Sequence, residues 1–290
     1  MSSSDRPTLT EPDELEAALR DGHYSDGGPV RVLDVRWRLD RSDGREQFQA
    51  GHIPGAVYVD LETELALPPA ERGAEDGRHP LPELDALQEA ARRWGIDAGD
   101  TVVVYDDLTN LSSARAWWLL RYAGVADVRL LDGSLRGWKA AGHPLETGVG
   151  DAPVPGTVTL AYGALPVLPL DGVAAFAESG VLLDARAGER FRGEVEPVDP
   201  RAGHIPGAVS APTTANVGAN GRFLTPGELR ARFEALGVTD AAPVAAYCGS
   251  GVTAAHEAVA LTLAGFLPAV YPGSFSQWSN HPELPVETGE

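Results

Sequence analysis

The sequence predicts an α/β protein built as two tandem domains, each a mostly parallel sheet flanked by helices. Three observations predict it. The heptapeptide Gly51-His52-Ile53-Pro54-Gly55-Ala56-Val57 recurs unchanged from Gly203 to Val209, and its surroundings recur in the same order. Short apolar runs of strand length lie in each half. Amphipathic stretches, with apolar residues three and four apart, separate those runs, as strands alternating with helices require.

Taken in order, Val30 to Val35 and Thr101 to Tyr105 are the fully buried strands expected of the first half, with helices over Leu84 to Trp94 and Ala114 to Tyr122. In the second half the strands are Val181 to Ala185 and Pro243 to Tyr247, and the helices Glu228 to Leu236 and Thr253 to Leu263. One helix start is well specified: Thr225 as N-cap, Pro226 in first place and Glu228 closing a capping box, with Gly237 placed to stop the helix. The repeat extends beyond the heptapeptide. Val32-Leu33-Asp34-Val35-Arg36 answers to Leu182-Leu183-Asp184-Ala185-Arg186, and Leu131 to Trp138 answers to Tyr271 to Trp278. Between the halves, Gly148 to Pro155 mixes Gly, Pro and Val with no periodicity, which places the domains at 1–148 and 157–290.

With 23 Lys and Arg against 42 Asp and Glu, the formal charge is −19, which argues against nucleic acid and anionic membrane as partners. No segment is as long and apolar as a spanning helix, and the N-terminus lacks the basic and apolar regions of a signal peptide. A single cysteine, Cys248, excludes an internal disulfide and a cysteine-cluster zinc site, and fits a reducing cytoplasm.

The chemistry collects at that cysteine. Cys248 follows a buried strand and precedes Gly249-Ser250-Gly251-Val252-Thr253, after which a helix begins. A glycine-rich turn at a helix N-terminus directs backbone N–H groups and the positive helix end to one point, where a thiolate is stabilised. At the matching place of the first half stands Asp106. Asp107-Leu108-Thr109 follow it, so one copy has the thiol and the other has none.

The tandem heptapeptide and the run Cys248-Gly249-Ser250-Gly251-Val252-Thr253-Ala254 resemble the two-domain sulfurtransferases of the rhodanese family over nearly the whole chain. The loop is similar to that of the 3-mercaptopyruvate sulfurtransferases, whereas thiosulfate-specific rhodaneses typically carry Arg and Lys where this chain has Gly249 and Ser250. The resemblance implies two rhodanese-like domains, the second catalytic, and transfer of a sulfane sulfur through a Cys248 persulfide cradled by Gly249 to Thr253. It implies no cofactor. The partners implied are a small anionic sulfur donor and a thiol acceptor, such as thioredoxin or a low-molecular-weight thiol. By the same resemblance Arg190 matches an arginine that grips the donor carboxylate. Arg201 is the nearest candidate for a second, in a segment about two residues shorter than the family's. Ser250 and His79 match a proton relay, and Glu62 stands where the family's aspartate is expected, with Asp60 two residues earlier.

Other residues read as architecture. Arg186 has a counterpart, Arg36, in the half without a nucleophile, which suits a structural ion pair; His52 and His204, both in the repeated motif, suit a shared role in the fold. His256 reads as packing, and Trp138 and Trp278 as core or site wall. Three further classes fit the residues less well. A phosphatase of related loop needs an arginine six residues after the cysteine, where this chain has Ala254; a thiol peroxidase needs a resolving thiol. A non-catalytic binding module suits the first half alone. The expected donor is 3-mercaptopyruvate, with thiosulfate as the alternative.

Overall fold

The computed structural model describes residues 7–41 and 43–290. Residues 1–6, part of the N-terminus read above for a targeting signal, lie outside it. The chain forms two compact units, and neither is a contiguous half. The first comprises residues 1–65, 82–164 and 219–223; the second comprises 66–81, 165–218 and 224–290.

The first unit runs β1 (Leu9–Thr10), α1 (Pro12–Asp21), β2 (Val30–Asp34), α2 (Gly44–Ala50), β3 (Val57–Tyr58), α3 (Leu61–Glu64), α4 (Leu84–Arg93), β4 (Thr101–Tyr105), α5 (Ser113–Tyr122), β5 (Asp127–Leu131) and α6 (Ser134–Ala140). Its sheet has the order β1-β5-β4-β2-β3 with every pair parallel. The second runs α7 (Val173–Ser179), β6 (Val181–Asp184), α8 (Gly188–Phe191), β7 (Val209–Ser210), α9 (Pro226–Ala235), β8 (Val244–Tyr247), α10 (Thr253–Leu263), β9 (Ala269–Val270) and α11 (Ser274–Trp278). Its sheet, again all parallel, has the order β7-β6-β8-β9. The expected strands and helices are present to within two residues at each end, including the Thr225 capping box and the left-handed Gly237 after it. Among the described residues no helix is long and apolar enough to cross a membrane.

Each unit buries its own core. In the first, Leu15, Val32, Phe48, Ile53, Val103, Leu131 and Trp138 meet. In the second, Val173, Leu182, Ile205, Ala245, Tyr271, Phe275 and Trp278 do so, so both motif tryptophans are core residues. Each indole also donates to a proline carbonyl, Pro144 at 2.8 Å and Pro285 at 2.7 Å.

The repeated heptapeptide is a latch on the sheet. His52 stacks on Phe48 and hydrogen-bonds its carbonyl at 2.9 Å, and His204 does the same with Phe191 at 2.8 Å. Ile53 N–H donates to the Tyr105 hydroxyl, and Ile205 N–H to that of Tyr247. Arg36 and Arg186 each grip an aspartate two residues back with both oxygens, then reach the carbonyl of Gly51 or Gly203. These ion pairs and the paired histidines recur in both halves and therefore build the fold, as read.

Parallel register sets the functional edge. Asp184 lies beside Tyr247 at the carboxyl ends of β6 and β8, so the chain leaving β8 turns at the sheet edge where α/β ligand sites form.

Candidate active site

Cys248 is the first residue beyond β8 and is buried. Its Sγ receives the Gly251 N–H at 3.1 Å, and its own N–H reaches Ser274 Oγ at 3.1 Å. Gly251 takes a left-handed conformation, φ +78°, which lets the loop curl back on the sulfur before α10 begins at Thr253. Val252 is the N-cap residue of α10, so the positive end of an 11-residue helix faces the loop. The loop is pinned from the other side: Phe275 N–H donates to the Cys248 carbonyl at 2.9 Å and Ser276 N–H to that of Gly249 at 2.8 Å.

Residues 66–81, from the first half of the sequence, belong to this second unit. Their path explains one expected pairing. His79 Nδ1 lies 2.8 Å from Ser250 Oγ, with both side chains buried. Gly77 makes the approach possible: at φ +85° it sits where a Cβ would stand 2.9 Å from the Gly273 carbonyl. The Arg78 N–H then donates to Ser276 Oγ at 3.0 Å. Glu62 belongs to the first unit, in α3, where its carboxylate accepts from Trp37 Nε1 at 2.9 Å; Asp60 caps that helix through the Glu62 N–H.

The arginines divide differently from the sequence expectation. Arg190, in α8, donates to Glu196 at 2.6 and 3.2 Å and to Asp199 at 3.0 Å. A Cβ on Gly249 would lie 3.4 Å from its Nη1, so its guanidinium stands beside the cysteine loop. Arg201 is instead engaged in the frame. It donates to the carbonyls of Trp278, Ser279, His281 and Leu284, which ties the C-terminal segment down and uses four of its five N–H groups. The resemblance made it the nearest candidate for a second donor-binding arginine; here its guanidinium braces the C-terminal segment.

Arg78 was missed by the sequence reading. Its Nη1 pairs with Asp199, whose second oxygen takes Arg190. Burial pushes the Asp199 carboxyl above its ordinary pKa, and the neighbouring Arg78 offsets this only in part. Burial acts on Glu196 in the same sense, but hydrogen bonds from Arg190 and from the Asp199 and Val198 N–H groups prevail and hold it below the ordinary range. A signal for Arg78 existed: it adjoins His79 in a segment without counterpart in the second half.

The first unit offers the comparison. Asp106 follows β4 as Cys248 follows β8, and its buried carboxylate fills the loop. One oxygen accepts Leu108 N–H at 2.8 Å, Asn110 N–H at 2.9 Å and Ser134 Oγ at 3.0 Å. The other accepts Ser112 N–H at 2.9 Å, Ser113 N–H at 3.0 Å and both serine hydroxyls. The turn after the matching strand thus surrounds a carboxylate in one unit and, with the Gly251 N–H on it, a sulfur in the other.

A buried cysteine whose sulfur receives a loop N–H, with a His–Ser pair and two guanidiniums at the same loop, is equipped for nucleophilic chemistry on a small anion. The comparisons agree with that class. The rhodanese-like domain profile matches residues 11–141 and again 171–281. A Mycobacterium tuberculosis H37Rv protein, named provisionally as the thiosulfate sulfurtransferase SseB, is 46% identical over 95% of this chain and 96% of its own. A Pseudomonas aeruginosa PAO1 protein, named provisionally as a 3-mercaptopyruvate sulfurtransferase, is 48% identical over 89% and 92%. The crystal structure of the 3-mercaptopyruvate sulfotransferase SseA from Escherichia coli superposes with a TM-score of 0.79 at 33% identity, covering 92% of this chain and 98% of that one. The chain belongs to the rhodanese family. Within it, the chain is a sulfurtransferase, the enzyme class these relatives share.

Proposed function

We propose that this enzyme moves the sulfur of 3-mercaptopyruvate to a thiol acceptor through a persulfide on Cys248. The observation that carries the reading is the Cys248 loop, where Gly251 N–H lies 3.1 Å from the sulfur and the Ser250–His79 pair opens onto the same turn. The Cys248 thiolate attacks the donor sulfur. The new S–S bond forms as the donor C–S bond breaks, and the electron pair leaves on carbon as the pyruvate enolate. That carbon must gain a proton, and the donor thiol must lose one. His79, bonded to Ser250, is the group we assign to carry it, because a histidine both gives and takes protons near neutral pH. Gly249 to Thr253 hold the anionic persulfide. An acceptor thiolate, of thioredoxin or a low-molecular-weight thiol, then takes the outer sulfur and restores Cys248. Glu62 is assigned as the acidic member of the relay and Arg190 as a donor clamp.

Donor choice follows from charge. The Arg78 and Arg190 guanidiniums are matched by Glu196 and Asp199, so the site holds little net positive charge to repay desolvation of a dianion. A single carboxylate is favoured over thiosulfate, the second reading, which the name of the mycobacterial relative supports. The sequence repeats 1–148 and 157–290 are proposed as the two domains, the second catalytic, in a cytoplasmic protein. The test is kcat/KM for sulfur transfer to cyanide from each donor, with Cys248→Ser as control. Mercaptopyruvate is expected to win and the variant to be inactive. A higher value for thiosulfate would reverse the donor assignment, and an active variant would remove the persulfide.

A further inference from the structure

Position 249 has no side chain, yet the space beside it is filled. A Cβ there would stand 2.9 Å from Arg78 Nη2 and 3.4 Å from Arg190 Nη1. Two guanidiniums from separate segments therefore converge on the residue next to Cys248. Asp199 holds them together, one oxygen on Arg78 Nη1 and the other on Arg190 Nη2, and its carboxylate is almost wholly buried. The bond to Asp199 uses Nη1 of Arg78, which leaves Nη2 as the atom nearest the loop. Nε is buried without a hydrogen-bond partner, so the guanidinium is not saturated by the protein.

The size of the donor fits this spacing. In 3-mercaptopyruvate one carbonyl carbon separates the sulfur-bearing carbon from the carboxylate. The donor sulfur and the carboxylate carbon are three bonds apart, so a donor whose sulfur meets Cys248 carries its carboxylate close to the same loop, where both guanidiniums stand beside Gly249. We propose that Arg78 is the second donor-binding arginine, taking the carboxylate of a 2-oxo acid donor together with Arg190, with Asp199 as the positioning residue that aligns the pair. This rests on the mercaptopyruvate reading above. Gly249 is then required for room: any side chain there displaces Arg78. The loop has no charged side chain of its own, yet two guanidiniums donate beside it in space, one of them supplied by a distant segment.

The experiment uses the full chain. Arg78→Gln is expected to raise KM for 3-mercaptopyruvate about 10- to 100-fold, the loss of one charge-assisted hydrogen bond, with kcat within about threefold. KM for cyanide, which meets the persulfide after the donor has left, should not move. Arg78→Lys should recover part of the loss, and Gly249→Ala, which keeps the arginine but pushes its Nη2 aside, should raise donor KM in the same direction. Calorimetric binding of 3-mercaptopyruvate to Cys248→Ser, with and without Arg78→Gln, reads the contact without turnover and should show weakening of about tenfold or more. An unchanged donor KM and binding constant in Arg78→Gln, or a fall in kcat alone, would overturn the assignment. Loss of the persulfide reading would show separately, as an active Cys248→Ser, while the binding comparison would still decide on Arg78.

Discussion

Replacing Asp106 by Ala should destabilise the first unit strongly. The carboxylate is fully buried and receives four backbone N–H groups and three hydroxyls. The hydroxyls have alternatives: Ser113 and Ser134 already lie 2.9 and 3.0 Å from Asn110 Oδ1. Asn110 N–H keeps Ser134 Oγ at 2.9 Å. The N–H groups of Leu108, Ser112 and Ser113 are the ones stranded. At about 1–3 kcal/mol for each buried donor left unmade, and with water entering the vacated space, the loss is about 3–6 kcal/mol. Urea unfolding followed by tryptophan fluorescence reads this unit selectively, because five of the six tryptophans, Trp37, Trp94, Trp117, Trp118 and Trp138, lie in it. A midpoint shift worth less than about 1 kcal/mol would show that the cradle does not depend on its anion, and the comparison with Cys248 would fail with it.

Glu257, on α10, is fully buried against Arg232 and Asn216, and burial, partly offset by Arg232, pushes its carboxyl from 4.5 to about 7. Its proton is held more tightly when folded, so stability should fall by about 3 kcal/mol as pH rises from about 4.5 to 7 and change no further above; Glu257→Gln should remove that slope, and parallel pH profiles for the two proteins would refute it. Arg201→Met should lower stability by about 2–3 kcal/mol through four lost carbonyl contacts while donor KM stays within about twofold, and a large rise in KM would return Arg201 to the site. Gly77→Ala, strained at φ +85° and crowded by the Gly273 carbonyl, should reduce kcat/KM about tenfold or more by shifting Arg78 and His79; wild-type kinetics would show that the segment tolerates displacement.

Much of this was legible in the residues. Strands β4 and β8 are uninterrupted apolar runs, and the duplicated heptapeptide could be recognised as architecture because both copies have it while only one half has the thiol. The Cys248 loop was legible because every part of it is contiguous. Arg78 was not, since its role depends on the path of residues 66–81, which follow no periodicity and have no second copy for comparison. Arg201 shows the complementary difficulty: the family pattern that singled it out says nothing about carbonyls 77 to 83 positions away, and those carbonyls engage its guanidinium. Nor could charge counting reveal that Asp199 and Glu196 share Arg78, Arg186 and Arg190 among them.

The assignment of residues 66–81 to the second unit has a genetic consequence. A gene split at the linker would give two products of which neither encodes the whole of the proposed reaction centre, because Arg78 and His79 would be inherited with one fragment and Cys248 and Ser250 with the other. Inactivating substitutions should therefore map to both halves of the open reading frame, and the duplicated half that has no thiol stays under selection through sixteen residues that serve its sibling.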